Sequence, residues 1–315
     1  MIARRTILAS GATFVAIGLT GCTHDSPEKK SPARTTRPPA TTPTAQRRDA
    51  VSTEALLADL ATKASRGATG TQRTMLTKVA EAHRCHVEVL GQSNPFSGST
   101  PSSAVSATPR RAEQGAPLSL LQRHEQAAAT KYLSSCQTAQ DSSEALLWAS
   151  LSVFSSAVHP SSPIPQLTQK IVPVAVGKEP VANAQQALLT HLNALIAGLE
   201  WGIARLGDGD PLRAWGSNRR DKVLVERTEV RQSIRNASAT PTPDLPGYPM
   251  SPAPVNAAAT RLLWSGLEAN VLSGWGRVTA ASESAERRHG VAAMVGQTQV
   301  LAHLGTGVTA WPGWV

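Results

Sequence analysis

The residues of this chain that could do chemistry are histidines and carboxylates at helical spacing. One stretch carries Glu81, His83 and His86, and a later one His124 and Glu125. His83 and His86 lie three apart, on one helix face, and could bind zinc together with His124. The blander reading is a solvated face, or helix-end histidines near the C-terminal dipole, and the sequence favours it. Further along stand His191, the pair Glu226-x-x-Glu229, Glu268, and Glu286-x-x-His289. A di-iron helical site takes a Glu from each of two helices and Glu-x-x-His from each of the other two. That set is incomplete here. His191, Glu226 and Glu268 remain as candidates for one iron, manganese or zinc ion. The spacing favours a buried ion network instead. Arg219 and Glu226 fall on an apolar stripe with Trp215, Val223 and Val230, and Glu268 lies between Trp264 and Trp275. Arg219 or Arg220 would pair with Glu268, since a buried charge needs a partner. No nucleophile elbow, phosphate-cradling loop or HExxH run is present. The chain therefore leans toward a non-enzyme without settling it, since catalytic groups can converge from distant helices, and no cofactor is expected, with iron, manganese or zinc as the alternative.

Positioning these groups falls to helices. Apolar residues recur at helical period over 52–66, 71–90, 117–139 and 141–158, then over 181–206, 211–236, 254–281 and 284–305. Asp141 with Glu144, and Asp210 before Pro211, are helix-start signals. Each half has two helices, a long loop and two more helices. If the loop travels the length of the bundle, the second and third helices run parallel. Parallel helices 211–236 and 254–281 would bring Glu226 level with Glu268. His191 and Gln297 would fall at a similar height. Glu286-x-x-His289 would sit several turns away.

Cys85 and Cys136 each lie about a turn from the end of their helices. Parallel helices would put both at one end, within disulfide reach, and simple up-and-down neighbours would not. Outside the cytoplasm two leftover cysteines are expected to pair, the alternative being two buried free thiols. Trp311-Pro312-Gly313-Trp314 reads as a clamp back onto the bundle.

The chain has 315 residues, 41% of them hydrophobic and 4% aromatic, enough for two helical domains. Net charge is +9, and residues 1–50 alone hold eight Lys/Arg against three Asp/Glu. The remainder is close to neutral, which argues against a nucleic-acid surface. Arg4-Arg5, an apolar run from Ile7 to Leu19, and Leu19-Thr20-Gly21-Cys22 resemble a lipoprotein signal over 1–21, with lipidation of Cys22. Arg4-Arg5-Thr6-Ile7-Leu8 also resembles a twin-arginine export signal. Residues 22–50, rich in Pro, Thr and Ser, read as a disordered tether. Two helical units follow at 51–160 and 180–315, joined by a Pro-containing linker at 161–179.

The second unit carries Gln185-Gln186-Ala187-Leu188-Leu189-Thr190-His191, Ala204-Arg205-Leu206 and Arg219-Arg220-Asp221. Leu245-Pro246 with Tyr248, and Leu267-Glu268, follow. In this order they resemble the ferritin-like domain of actinobacterial lipoproteins, a family labelled as a domain of unknown function. The resemblance spans about 180–315, and the first half is similar in pattern to the companion helical region. It implies an all-α chain of two four-helix bundles, each with a long crossover between second and third helix, and no known activity. Relatives carry Glu-His where this chain has Thr190-His191, which weakens an inherited metal site. The expected protein is lipid-anchored outside the cytoplasm, with the membrane as one partner and an envelope protein or small ligand as the other. Alternatives are a ferritin-like metal or redox protein, and a solute-binding lipoprotein with its ligand near 160–179.

Overall fold

Eight helices account for nearly all the regular structure of the computed structural model, which describes residues 44–99, 115–158, 172–245, 247–248 and 253–314. They are α1 (Ala45–Gly67), α2 (Gly70–Leu90), α3 (Pro117–Thr138), α4 (Ser142–Ala157), α5 (Val181–Arg205), α6 (Pro211–Asn236), α7 (Ala257–Ala281) and α8 (Ser284–His303). There is no strand among the described residues, only an isolated bridge between Ser97 and Val174. The chain is all-α, as its periodicity requires. The signal, Cys22 and most of the tether lie outside the described residues.

Local chemistry sets the helix ends. Asp141 caps α4 by accepting from Ser143 N and Glu144 N, and Asp210 caps α6 ahead of Pro211. Helix α1 begins at Ala45, earlier than the apolar pattern indicates and inside the expected tether. Thr44 caps it, and Arg47 and Ala50 are buried against the rest of the protein.

Hairpin partners pack as α1–α2, α3–α4, α5–α6 and α7–α8, and in each half the first helix also packs on the third. Contacts fix the directions in the second half. Arg219 meets Glu268 and Glu226 meets Trp275, in the same order along both helices, so α6 and α7 run parallel. Gln297 meets Glu268 while Met294 meets Thr279, so α8 runs antiparallel to α7. The long connection between α6 and α7 therefore returns the chain along the bundle.

The two halves are not separate domains. Helix α4 packs on α7 and α8, α3 packs on α8, and one hydrophobic core runs from Ala50 to Trp314. The described residues form one compact unit. The expected linker is pinned where it is described: Val176 N donates to Ser143 Oγ at 2.9 Å and Gly98 N donates to Pro173 O at 3.3 Å. Helix α5 is apolar and long enough to cross a membrane, but it packs against both α6 and α7 as a core helix.

After α8 the chain crosses to the first half as a strap, burying Val308, Trp311 and Trp314. Its seat on α7 depends on a missing side chain. A Cβ on Gly276 would stand 2.7 Å from the Gly313 carbonyl oxygen, and backbone cannot swing aside as a side-chain tip can. Gly276→Ala is expected to cost roughly 1–3 kcal/mol as an overpacking defect. Denaturant unfolding followed by tryptophan fluorescence checks this. A midpoint equal to that of the parent would show that the strap adjusts freely.

Candidate functional site

Two buried ionic centres stand at the middle of the two halves. The first is built by every helix of the first half. On α1 the core stripe reads Ala50, Glu54, Leu57, Ala61, so Glu54 takes a position where an apolar residue would ordinarily sit. On α2 the stripe is Leu76, Val79, His83, His86, Leu90, and on α3 it is Leu121, Glu125, Ala128, Tyr132. Glu54, His83, His86 and Tyr132 have no exposed surface, and Glu125 has 3%.

Glu54 Oε2 lies 2.7 Å from His83 Nδ1 and 2.7 Å from His86 Nδ1. Its other oxygen accepts from the Tyr132 hydroxyl at 2.6 Å. His83 Nε2 points to Glu125 Oε1 at 2.7 Å, and His86 Nε2 donates to the Ala310 carbonyl of the strap at 2.6 Å. Phe154 of α4 stands edge-on to both imidazoles, with ring centres 5.4 and 4.9 Å away, and Trp311 lies 4.6 Å from His86. The rings are thus walled in as well as hydrogen-bonded.

Burial alone would lower the pKa of His83, but Glu125 and Glu54, one on each ring nitrogen, push it up to about 10. Burial works in the opposite sense on Glu54, and the neighbouring His86 and His83 hold its carboxyl well below the usual range. Glu125 Oε2 is buried and has no hydrogen-bond partner among the described residues. Glu125 also lines a groove of about 760 Å³ between α3, α4 and α8, beside Ser155 and Arg288.

The second centre is a closed ion network. Arg219 of α6 donates through Nε and Nη2 to the two carboxylate oxygens of Glu268, both at 2.8 Å, and through Nη2 to Gln297 Oε1 at 3.1 Å. Gln297 donates to the Glu268 carbonyl at 3.0 Å and also bonds its carboxylate. Glu226 accepts from Trp275 Nε1 at 2.7 Å and stands 3.9 Å from Arg219 Nη1. Burial pushes the Glu226 carboxyl up against the opposing pull of Trp275 and Arg219. Burial would depress Arg219, but Glu268 and Glu226 raise it. A permanent cation between two carboxylates opposes a metal ion in the same place.

The structure sorts the expected residues. Arg219, Glu226 and Glu268 do form the network, with Gln297 at the anticipated height. Arg220 does not join it; its guanidinium bonds Asp221, its neighbour on α6, at 2.9 Å. His191 does not join the carboxylates either. It packs over Gly274 in a groove of about 530 Å³ beside Glu179, Arg277 and Trp314, whereas Glu226 faces the groove holding Trp275 and His289. Adjacent positions on α7 point about 100° apart, which separates them. Burial, then the charge of Arg277, lowers the His191 pKa.

His83, His86 and Glu125 are core groups, not the solvated face their density implied. His124 is replaced in the cluster by Glu54, because position 125 of α3 faces inward. The expected disulfide is not formed: Cys85 and Cys136 are not bonded to each other. Helices α2 and α3 meet where His83 touches Glu125, and Cys136 lies about three turns, or ~16 Å, further along α3. Its buried thiol is pushed up to about 12 by desolvation. The sequence shows the 311–314 clamp but not Glu54, Tyr132 or the bond from His86 to Ala310. A lone carboxylate on the apolar stripe of α1 was the available signal.

Residues 210–315, which include α6, α7, α8 and the strap, match a family described as a domain of unknown function (DUF4439). No curated protein and no solved structure matches the chain.

Proposed function

We propose that this chain is a lipoprotein held outside the cytoplasm by a lipid on Cys22, and that its helical body is a non-enzymatic binding module centred on the Glu54–His83–His86 cluster. The observation that carries the binding reading is the complete burial of a carboxylate and two imidazoles where four helices and the strap converge. Apolar residues of the same volume would stabilise such a core at least as well. A centre of this kind is better explained by a ligand than by folding stability. The anchoring reading rests on the charged start, the short apolar run and Leu19-Thr20-Gly21-Cys22, which precede the first helix at Ala45 in the sequence.

Cys22→Ser is expected to move the protein from the membrane to the soluble fraction of an expressing bacterium, with its helical circular dichroism unchanged. Continued sedimentation with the membrane after carbonate and salt washing would sink the lipid anchor.

A further inference from the structure

Glu54 Oε2 stands 2.7 Å from both His83 Nδ1 and His86 Nδ1, the three residues bring ligand atoms within 4.8 Å of one another, and all three side chains are buried. Building on the reading of this cluster as the binding centre, we propose that these three atoms hold one divalent transition-metal ion.

The outer contacts are those of a metal site. A ligating histidine gives its other N–H to a carboxylate or a backbone carbonyl, which fixes the ring and its tautomer. Here His83 Nε2 meets the Glu125 carboxylate, and His86 Nε2 meets the Ala310 carbonyl. The oxygen of Glu54 that is not shared by the histidines is held by the Tyr132 hydroxyl. Every ligand is therefore oriented by a second group, and the groups come from α3 and from the strap as well as from the ligating helices.

Proton placement points the same way. A carbonyl oxygen can only accept, so Ala310 fixes a proton on His86 Nε2. The Nδ1 atom of the same ring is then aimed at Glu54 Oε2, as is Nδ1 of His83. Something positive must lie on each of these two lines. Both lines converge on one carboxylate oxygen, so a single dication seated between the two Nδ1 atoms and Oε2 meets both.

Two imidazole nitrogens and one carboxylate oxygen select the ion. The set suits zinc, iron(II), cobalt(II) or manganese(II), and not calcium or magnesium, which take oxygen ligands. Three protein ligands leave a coordination position open. Glu125 stays in the outer shell, on the far side of the His83 ring from the ion. The groove between α3, α4 and α8 reaches this outer shell at Glu125.

The test uses the full chain, purified without a polyhistidine tag, stripped with chelator and checked for helicity. It is then dialysed against zinc or cobalt(II), and the bound metal is counted. One equivalent is expected, with cobalt(II) giving the visible absorption of a low-coordinate site. Glu54→Gln and His86→Gln should each weaken uptake at least tenfold, and His124→Gln, which lies outside the cluster and keeps all three ligands, should retain one equivalent. If the ligand variants do not fold, X-ray absorption of the zinc-loaded parent decides, by showing two imidazoles or not. A folded parent that binds less than a tenth of an equivalent overturns the proposal. So do folded ligand variants that bind as the parent does. These outcomes are independent of membrane release by Cys22→Ser, so the metal and the anchor fail separately.

Discussion

Arg219→Met is expected to lower the stability of the folded body by roughly 3–5 kcal/mol, the cost of leaving a buried carboxylate without its cation. Glu268 has no exposed surface, and both of its carboxylate oxygens are taken by the Arg219 guanidinium. Methionine fills similar space and removes the charge, leaving Gln297 as the remaining donor to that carboxylate. Arg219→Lys should not restore stability, because an ammonium cannot make the forked pair. The double variant Arg219→Met, Glu268→Met should recover most of the loss, since removing both charges leaves none unpaired. Denaturant unfolding at neutral pH measures all three. A single-variant loss below ~1 kcal/mol would mean that water reaches Glu268 and the network is not closed.

Glu54→Gln should have an effect of similar size in chelator-treated protein, about 3–5 kcal/mol, for the same reason with the sign of the stranded charge reversed. Its pH dependence distinguishes it from a packing defect. The folded-state pKa of Glu54 is depressed, so its contribution is present above the usual carboxylate value near 4.5 and is lost as pH falls through the depressed value. The folded-state pKa of His83 is raised, so its contribution is full below 6.5 and is lost as pH rises through about 10. The cluster thus stabilises the metal-free protein most between about pH 4.5 and 6.5. Unfolding free energies of parent and variant should differ most in that window and converge toward pH 10. A difference constant from pH 5 to pH 10 would show that the charges of the cluster do not carry it.

How much of this was legible in the sequence depended on distance along the chain. Helix positions, the parallel course of α6 and α7, the pairing of Arg219 with Glu268 and the height of Gln297 all follow from period and rise per residue. The first centre was only half legible. His83 and His86 are conspicuous because they are three apart on one helix. Glu54 is an isolated carboxylate, and its partners His83, His86 and Tyr132 lie 29, 32 and 78 residues away. His124 stood beside Glu125 as an equally good ligand, and one position on a helix is enough to turn a side chain out of a core. Helix direction alone predicts the disulfide, but pairing also depends on register, and the His83–Glu125 contact puts the two cysteines at different heights. The shared core of the two halves left no composition signal, because the Pro-containing connection reads like any interdomain linker.

The bond from His86 to Ala310 closes a loop of 224 residues, far longer than that of any hairpin contact in the protein. Helical hairpins such as α1–α2 assemble from local contacts and rank among the fastest elements to form, whereas closing so long a loop carries a large entropic delay. The order of events follows. The first half collapses around an unfinished centre, with the outer nitrogen of His86 still wet. The ring is fixed only when the strap arrives across the completed second half. Competence of the earliest helices is thereby made a late event, and a chain interrupted anywhere before the strap would fold much of its helix without finishing its centre.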